Sequence, residues 1–229
     1  MRATGRGVFP ACSNETLHPD ELAPPDGAAR PTSFPVRPGA RVRGLPARLS
    51  AVLAADVAAY SRHMAEDEAG THARFMAVWC RVVEPVIAHH EGRTVKNTGD
   101  GFLAVFESAT SAVRCAMGFQ SAVRAWNVRR ARGRPLLFRV GINLGDVIFE
   151  PHDVFGHSVN VAARLEAIAE PGGILVSHAV RVSVRDPAMC FEDVGELSLK
   201  NMTETVRGFR VQPRPNTRAH RQSAHPTAA

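Results

Sequence analysis

A chain of 229 residues, 45% of them hydrophobic, is long enough for one ordinary domain with a sizeable core. No run approaches the about eighteen apolar residues of a membrane span, and the N-terminus MRATGRGVFPACSNETLHPDE has no continuous apolar stretch of the signal-peptide kind. The sequence therefore predicts a cytoplasmic protein without membrane insertion. The net charge of +6 lies in the ends, since 19 Lys/Arg face 18 Asp/Glu between Ala47 and Val211, and one Tyr with two Trp argues against nucleic-acid recognition by stacking.

Residues 1–46 hold eight of the sixteen prolines, so they are expected to lack regular elements and a fixed structure; residues 212–229 read as a disordered basic tail. The folded unit is placed at 47–211. Within it LSAVLAADV (49–57) reads as a buried strand. An amphipathic helix from about Glu66 to His90 follows, with Phe75, Val78, Trp79, Val82, Val83, Val86 and Ile87 on its inner face. GRTVKNTGDGFLAVFES gives two short strands around a turn. A second helix, about 108–128, carries Ala112, Val113, Ala116, Phe119, Val123 and Trp126 at helical spacing. The cluster Arg129, Arg130, Arg132 and Arg134 then reads as a solvated loop.

LLFRVGINLGDVIFE (136–150) is strand-like, its glycines suggesting a bend or hairpin. Next come a helix over about 158–169, a strand GGILVS, a short helix near 178–185, and strands within MCFEDVGELSLK and VRGFRVQ. The order β-α-β-β-α-β-α-β-α-β-β contains split βαβ units. It predicts an α+β, ferredoxin-like sandwich: a mostly antiparallel sheet with helices packed on one face. Cys12, Cys80, Cys115 and Cys190 have no CxxC spacing and read as reduced thiols, neither a disulfide framework nor a zinc site.

Asp56 closes the first strand after an apolar run, and Asp100 sits in the turn between the second and third. Adjacent strand ends would bring the two carboxylates together. Such a pair repels unless a cation intervenes, and hard oxygen ligands suit Mg²⁺ or Mn²⁺. Two ions held that way can activate a hydroxyl and neutralise a nucleoside triphosphate during in-line phosphoryl transfer.

AADVAAYSR, VKNTGDGFLAVF, RVGINLGDV, DVFGHSVNVAARLEAIAEPGGILVS and GELSLKN resemble, in order and spacing, the class III nucleotidyl cyclase catalytic domain in its bacterial adenylate cyclase branch. The likeness covers essentially all of 47–211 and implies the nucleotide cyclase fold. It implies two metal ions per site, Mg²⁺ or Mn²⁺, on Asp56, Asp100 and the Val57 carbonyl. It implies adenine selection by Lys96 and Asp153. Asn160 would orient the ribose, and Arg164 would stabilise charge on the transferring phosphate. The implied reaction is adenylate cyclase: ATP gives cyclic AMP and pyrophosphate. In this family the metal aspartates come from one subunit and the base-selecting and transition-state residues from its partner, so a head-to-tail homodimer is implied.

Two positions depart from the family pattern. Ala59 stands where a glycine is often found, and Met202 where many members carry a phosphate-binding lysine, leaving Lys200 or Arg207 as substitutes. Both departures imply low activity or a preference for Mn²⁺. The alternatives are a weak or inactive cyclase-like module that binds nucleotide and regulates or dimerises, a cyclase making cyclic GMP, and a nucleic-acid binder acting through the basic ends.

Overall fold

The computed structural model describes residues 47–129, 134–151, 153–202 and 204–214. The expectations for 1–46, for the tail beyond Arg214 and for Arg130 and Arg132 fall outside these residues. The elements are β1 (Ala47–Val57), α1 (Tyr60–Glu66), α2 (Glu68–Val78), a π-helical turn (Trp79–Val83), α3 (Glu84–His89), β2 (Arg93–Asn97), β3 (Gly101–Phe106), α4 (Ala109–Arg129), β4 (Phe138–Phe149), β5 (Val154–Phe155), α5 (His157–Ile168), β6 (Ile174–Ser177), α6 (His178–Ser183), β7 (Met189–Ser198) and β8 (Thr205–Pro213). The sheet order is β2-β3-β1-β4-β6-β8-β7, with β5 paired to β4. Among the described residues only β4 and β6 run parallel, joined by α5 as a βαβ unit; the sheet is otherwise antiparallel, in line with the mostly antiparallel sheet the sequence predicts.

Alternation along β1 explains the layering. Ala51, Leu53, Ala55 and Val57 face one side, with Phe75, Val78, Trp79, Ile87, Ala112, Ala116 and Phe119 from the helices α2 to α4. Val52 and Ala54 face the other side, with Leu103, Val105, Val147, Val154 and Ala162. Helices therefore cover both faces, which corrects the single helical layer expected. The reason lies in β4: a Cβ on Gly141 would fall 2.2 Å from the Ala162 carbonyl oxygen and the Glu166 nitrogen, and one on Gly145 would fall 2.3 Å from the Ser158 hydroxyl. The two glycines do not bend the chain into a hairpin. They keep a continuous twelve-residue strand bare, so that α5 lies directly on its backbone.

The helix expected from Glu66 begins at Tyr60 instead and is broken. Asp67 leaves helical geometry and its carboxylate accepts from the Gly70 amide at 2.9 Å, starting α2 afresh. The π turn precedes Pro85, which has no amide to give to a helical carbonyl. Below these helices Trp79, Phe102, Phe119 and Phe138 make edge-on contacts, with centroids 5.2 Å (Trp79–Phe102) and 5.8 Å (Phe119 to Phe102 and to Phe138) apart. Each such ring contributes about 1.5–3 kcal/mol by burial. Phe102 and Phe138 stand next to Gly101 and Arg139, so this cluster fixes the strand ends that carry the polar groups described next. Among the described residues Cys115 is free and buried and Cys190 free and exposed.

Candidate active site

Asp56 pairs in register with Gly101, and the Val57 amide donates to the Asp100 carbonyl at 2.9 Å. The two aspartates therefore occupy neighbouring strand ends, where the sequence places them. Two further charged groups join them that sequence reasoning missed. Arg139, opposite Asp56 on β4, donates from Nε to Asp56 Oδ1 at 2.9 Å and from Nη2 to Oδ2, a bidentate pair, while its Nη1 reaches the Ala167 carbonyl at 3.0 Å. Glu166 on α5 lies 3.5 Å from Arg139 Nη2. Burial, then the nearby Asp56 carboxylate, push the Glu166 carboxyl up to about 9 against the pull of Arg139. The available signal was an arginine within the apolar run LLFRVGI, which demands a buried counter-ion.

The carboxylates of Asp56 and Asp100 are hard oxygen donors at neighbouring strand ends, the chemistry that suits a divalent cation. Among the described residues no three His, Cys, Asp or Glu side chains converge as a metal cage. An ion on Asp56 and Asp100 would complete its shell from backbone carbonyls, such as that of Val57.

The turn after β1 bears on the same corner. Ala59 adopts φ 56°, ψ 33°, the left-handed conformation that glycine takes without strain. Burial and the negative charge of Asp100 push the neighbouring Tyr60 phenol up. Ala59→Gly relieves the turn. Its expected effect is a gain of about 1 kcal/mol in unfolding free energy, the strain released less the extra freedom of the unfolded chain, read by urea titration.

Lys96 and Asp153, 57 residues apart, meet at 2.7 Å between Nζ and Oδ2. A β-bulge between Thr94 and Lys96 re-aims the lysine. The β4–β5 hairpin folds back over the same face, with Phe149 and Val154 packed near Val52, Leu103 and Val105, and so carries Asp153 to it. Asp153 Oδ1 accepts from the Val154 amide at 2.7 Å, which locks the carboxylate.

Asn160 and Arg164 share one face of α5 and line a cleft of about 730 Å³ with His157, Lys200, Asn201, Met202 and Glu204. Asn201 takes φ 62°, a turn conformation asparagine tolerates, and sets Lys200 and Met202 on the cleft wall. Arg207 does not line it and is bound instead to Asp193 at 2.9 and 2.6 Å. Asp56 and Asp100 do not line it either. Glu166 follows Arg164 by two residues, about 200° around the helix, so the carboxylate cluster and the Asn160–Arg164 stripe lie on opposite sides of α5.

A family model described as the adenylate and guanylate cyclase catalytic domain matches residues 48–212. The chain is 44% identical over 172 residues to "Putative adenylate cyclase 3" of Rhizobium meliloti, covering 75% of this chain and 29% of that protein's length. The crystal structure of an adenylate/guanylate cyclase/hydrolase from Silicibacter pomeroyi is 42% identical, with a TM-score of 0.65 over 74% of this chain and 99% of that one. The adenylyl cyclase CyaB of P. aeruginosa, at 22% identity, shares the fold with a TM-score of 0.68 over 75% of this chain and 97% of that one. No helix among the described residues is long and apolar enough to cross a membrane. With paired aspartates at the strand ends, a nucleotide cyclase fold around them and the family's domain matched over 48–212, the chain belongs to the class III adenylate and guanylate cyclase catalytic domain family.

Proposed function

We propose that this domain is an adenylate cyclase, converting ATP to 3′,5′-cyclic AMP and pyrophosphate in a homodimer with composite sites. The Lys96–Asp153 pair carries the choice of ATP. The ammonium gives one N–H to Asp153 and keeps two, one of which suits the acceptor N1 of adenine; Asp153 keeps lone pairs for the N6 amino group. Guanine offers a donor at N1 and an acceptor at O6, and so meets both side chains with the wrong partner.

Asp56 and Asp100, with the Val57 carbonyl, are the groups to hold Mg²⁺ or Mn²⁺. Two such ions, when bound, supply activation of the ribose 3′-hydroxyl and neutralisation of the triphosphate. The 3′-oxygen then attacks the α-phosphorus as its bond to pyrophosphate breaks. Asn160 orients the ribose, and Arg164 meets the charge that builds on the transferring phosphate. Lys200, in the same cleft, suits the phosphates better than Arg207, which Asp193 engages. Because α5 separates the two groups of residues, each site takes its carboxylates from one chain and its Asn160 and Arg164 from the other.

The test is cyclic nucleotide production by the full chain, from ATP or GTP, with Mg²⁺ or Mn²⁺, beside Asp56→Asn and Asp100→Asn. Cyclic AMP from ATP, greater with Mn²⁺ and reduced at least about 100-fold in either variant, is the expected result. Cyclic GMP as the main product, or turnover that survives both substitutions, overturns it. A second reading, a module that binds nucleotide without turning it over, draws on Met202 standing in the cleft beside Lys200. A folded dimer with no product under any condition supports that reading.

A further inference from the structure

Arg139, Asp56 and Glu166 are only 28%, 18% and 14% exposed, so their contacts escape the screening that makes surface ion pairs weak. The Arg139 guanidinium holds both oxygens of Asp56, the same oxygens a divalent ion would need. It is not free to swing into solvent, because Nη1 is tied to the Ala167 carbonyl at 3.0 Å. One acceptor beside it is unused: Glu166 Oε1 is buried, has no hydrogen-bond partner among the described residues, and lies 3.5 Å from Nη2. A charge-assisted bond closes at about 2.8 Å, so a shift of less than about 1 Å would hand the guanidinium from Asp56 to Glu166 with its carbonyl tie kept.

We propose that Arg139 serves as an internal cation on Asp56 and that Glu166 is its positioning residue, receiving the guanidinium when a divalent ion takes its place. The proposal rests on the reading of Asp56 as a metal ligand. Arg139 stands in for the ion while the site is without one, keeping the Asp56 and Asp100 charges from repelling. Glu166 lowers the penalty of its displacement by offering a ready acceptor. The close seat of α5 on β4 makes the exchange possible, since the Glu166 backbone lies against Gly141, two residues along the strand from Arg139. Metal affinity is then the difference between two contacts of one guanidinium, and a site blocked by its own cation binds an ion more weakly by the fraction of time it is open.

The experiment measures Mn²⁺ binding by electron paramagnetic resonance, with the full chain and no nucleotide, so that the readout is the metal centre rather than turnover. Asp56→Asn should abolish binding. Arg139→Gln should tighten the Mn²⁺ dissociation constant about tenfold, and Arg139→Lys, which keeps the charge but loses the fork, should fall between it and the native chain. Glu166→Gln should weaken binding about fivefold with Arg139 present and change it less than about twofold in the Arg139→Gln background. Circular dichroism and thermal melting confirm that each variant is folded, and Arg139→Lys carries the test if Arg139→Gln is not. Binding that depends on Asp56 but is unchanged or weaker in both Arg139 variants overturns the internal cation. An equal effect of Glu166→Gln in both backgrounds overturns the positioning role. Binding that persists in Asp56→Asn, or is absent from every chain, refutes the metal reading of Asp56 first and this proposal with it.

Discussion

Mixed in equal amounts and allowed to reassociate, an Asp56→Asn chain and an Arg164→Ala chain should recover about one quarter of native activity, although each alone lies at least about 100-fold below it. Random pairing makes half of the dimers mixed. In a mixed dimer one site collects both substitutions and the other collects neither. The structural basis is α5, which carries Arg164 on the side away from the Glu166–Arg139–Asp56 contacts. If one chain contained a whole site, mixing would restore nothing, and cyclic AMP assays on the mixture would read the sum of two impaired enzymes. Sedimentation of the native chain gives a second check, since an active monomer is incompatible with the composite site.

Exchange of the base-reading pair should be nearly as large in effect. Lys96→Glu with Asp153→Ser should lower kcat/KM for ATP about 1000-fold and make GTP the better substrate, because the donor and acceptor then face O6 and N1 of guanine in matching order. Serine at 153 keeps an oxygen for the Val154 amide, which Asp153 now holds at 2.7 Å, so the turn should persist. Lys96→Glu alone sets two carboxylates face to face and should serve neither base well. Competition between ATP and GTP in one reaction reads the ratio directly. A double variant that still prefers ATP would show that the base is chosen elsewhere.

The strand ends were legible because alternation is. LSAVLAADV shows a buried run that stops at Asp56, GFLAVF shows another that starts just after Asp100, and antiparallel pairing places them side by side. The Lys96–Asp153 contact was not legible in that way. It depends on a bulge and a folded-back hairpin across 57 residues, and only the family resemblance named the two residues together. Gly141 and Gly145 look like turn residues in the sequence. Their use is to let a helix approach, which shows only when α5 is in place, and for the same reason the second helical layer went unforeseen. Arg139 and Glu166 were read past because each sits in a regular element, where a lone charge passes for solvent-facing. The broken first helix was signalled by Asp67 and Pro85, but its continuous apolar face outweighed them.

The seat of α5 on bare strand backbone gives the two sites of the proposed dimer a common mechanical part. At Gly141 the helix meets the strand backbone directly, and the buried Asn143 beside it donates to the Ser158 carbonyl, so α5 and β4 move as one body. That body presents Arg164 to one site and, through Glu166 and Arg139, touches Asp56 of the other. In the proposed dimer, occupation of the first site would thereby be felt at the second. Cooperative turnover, with the two sites sharing one lever rather than firing independently, is the outcome expected of such a dimer.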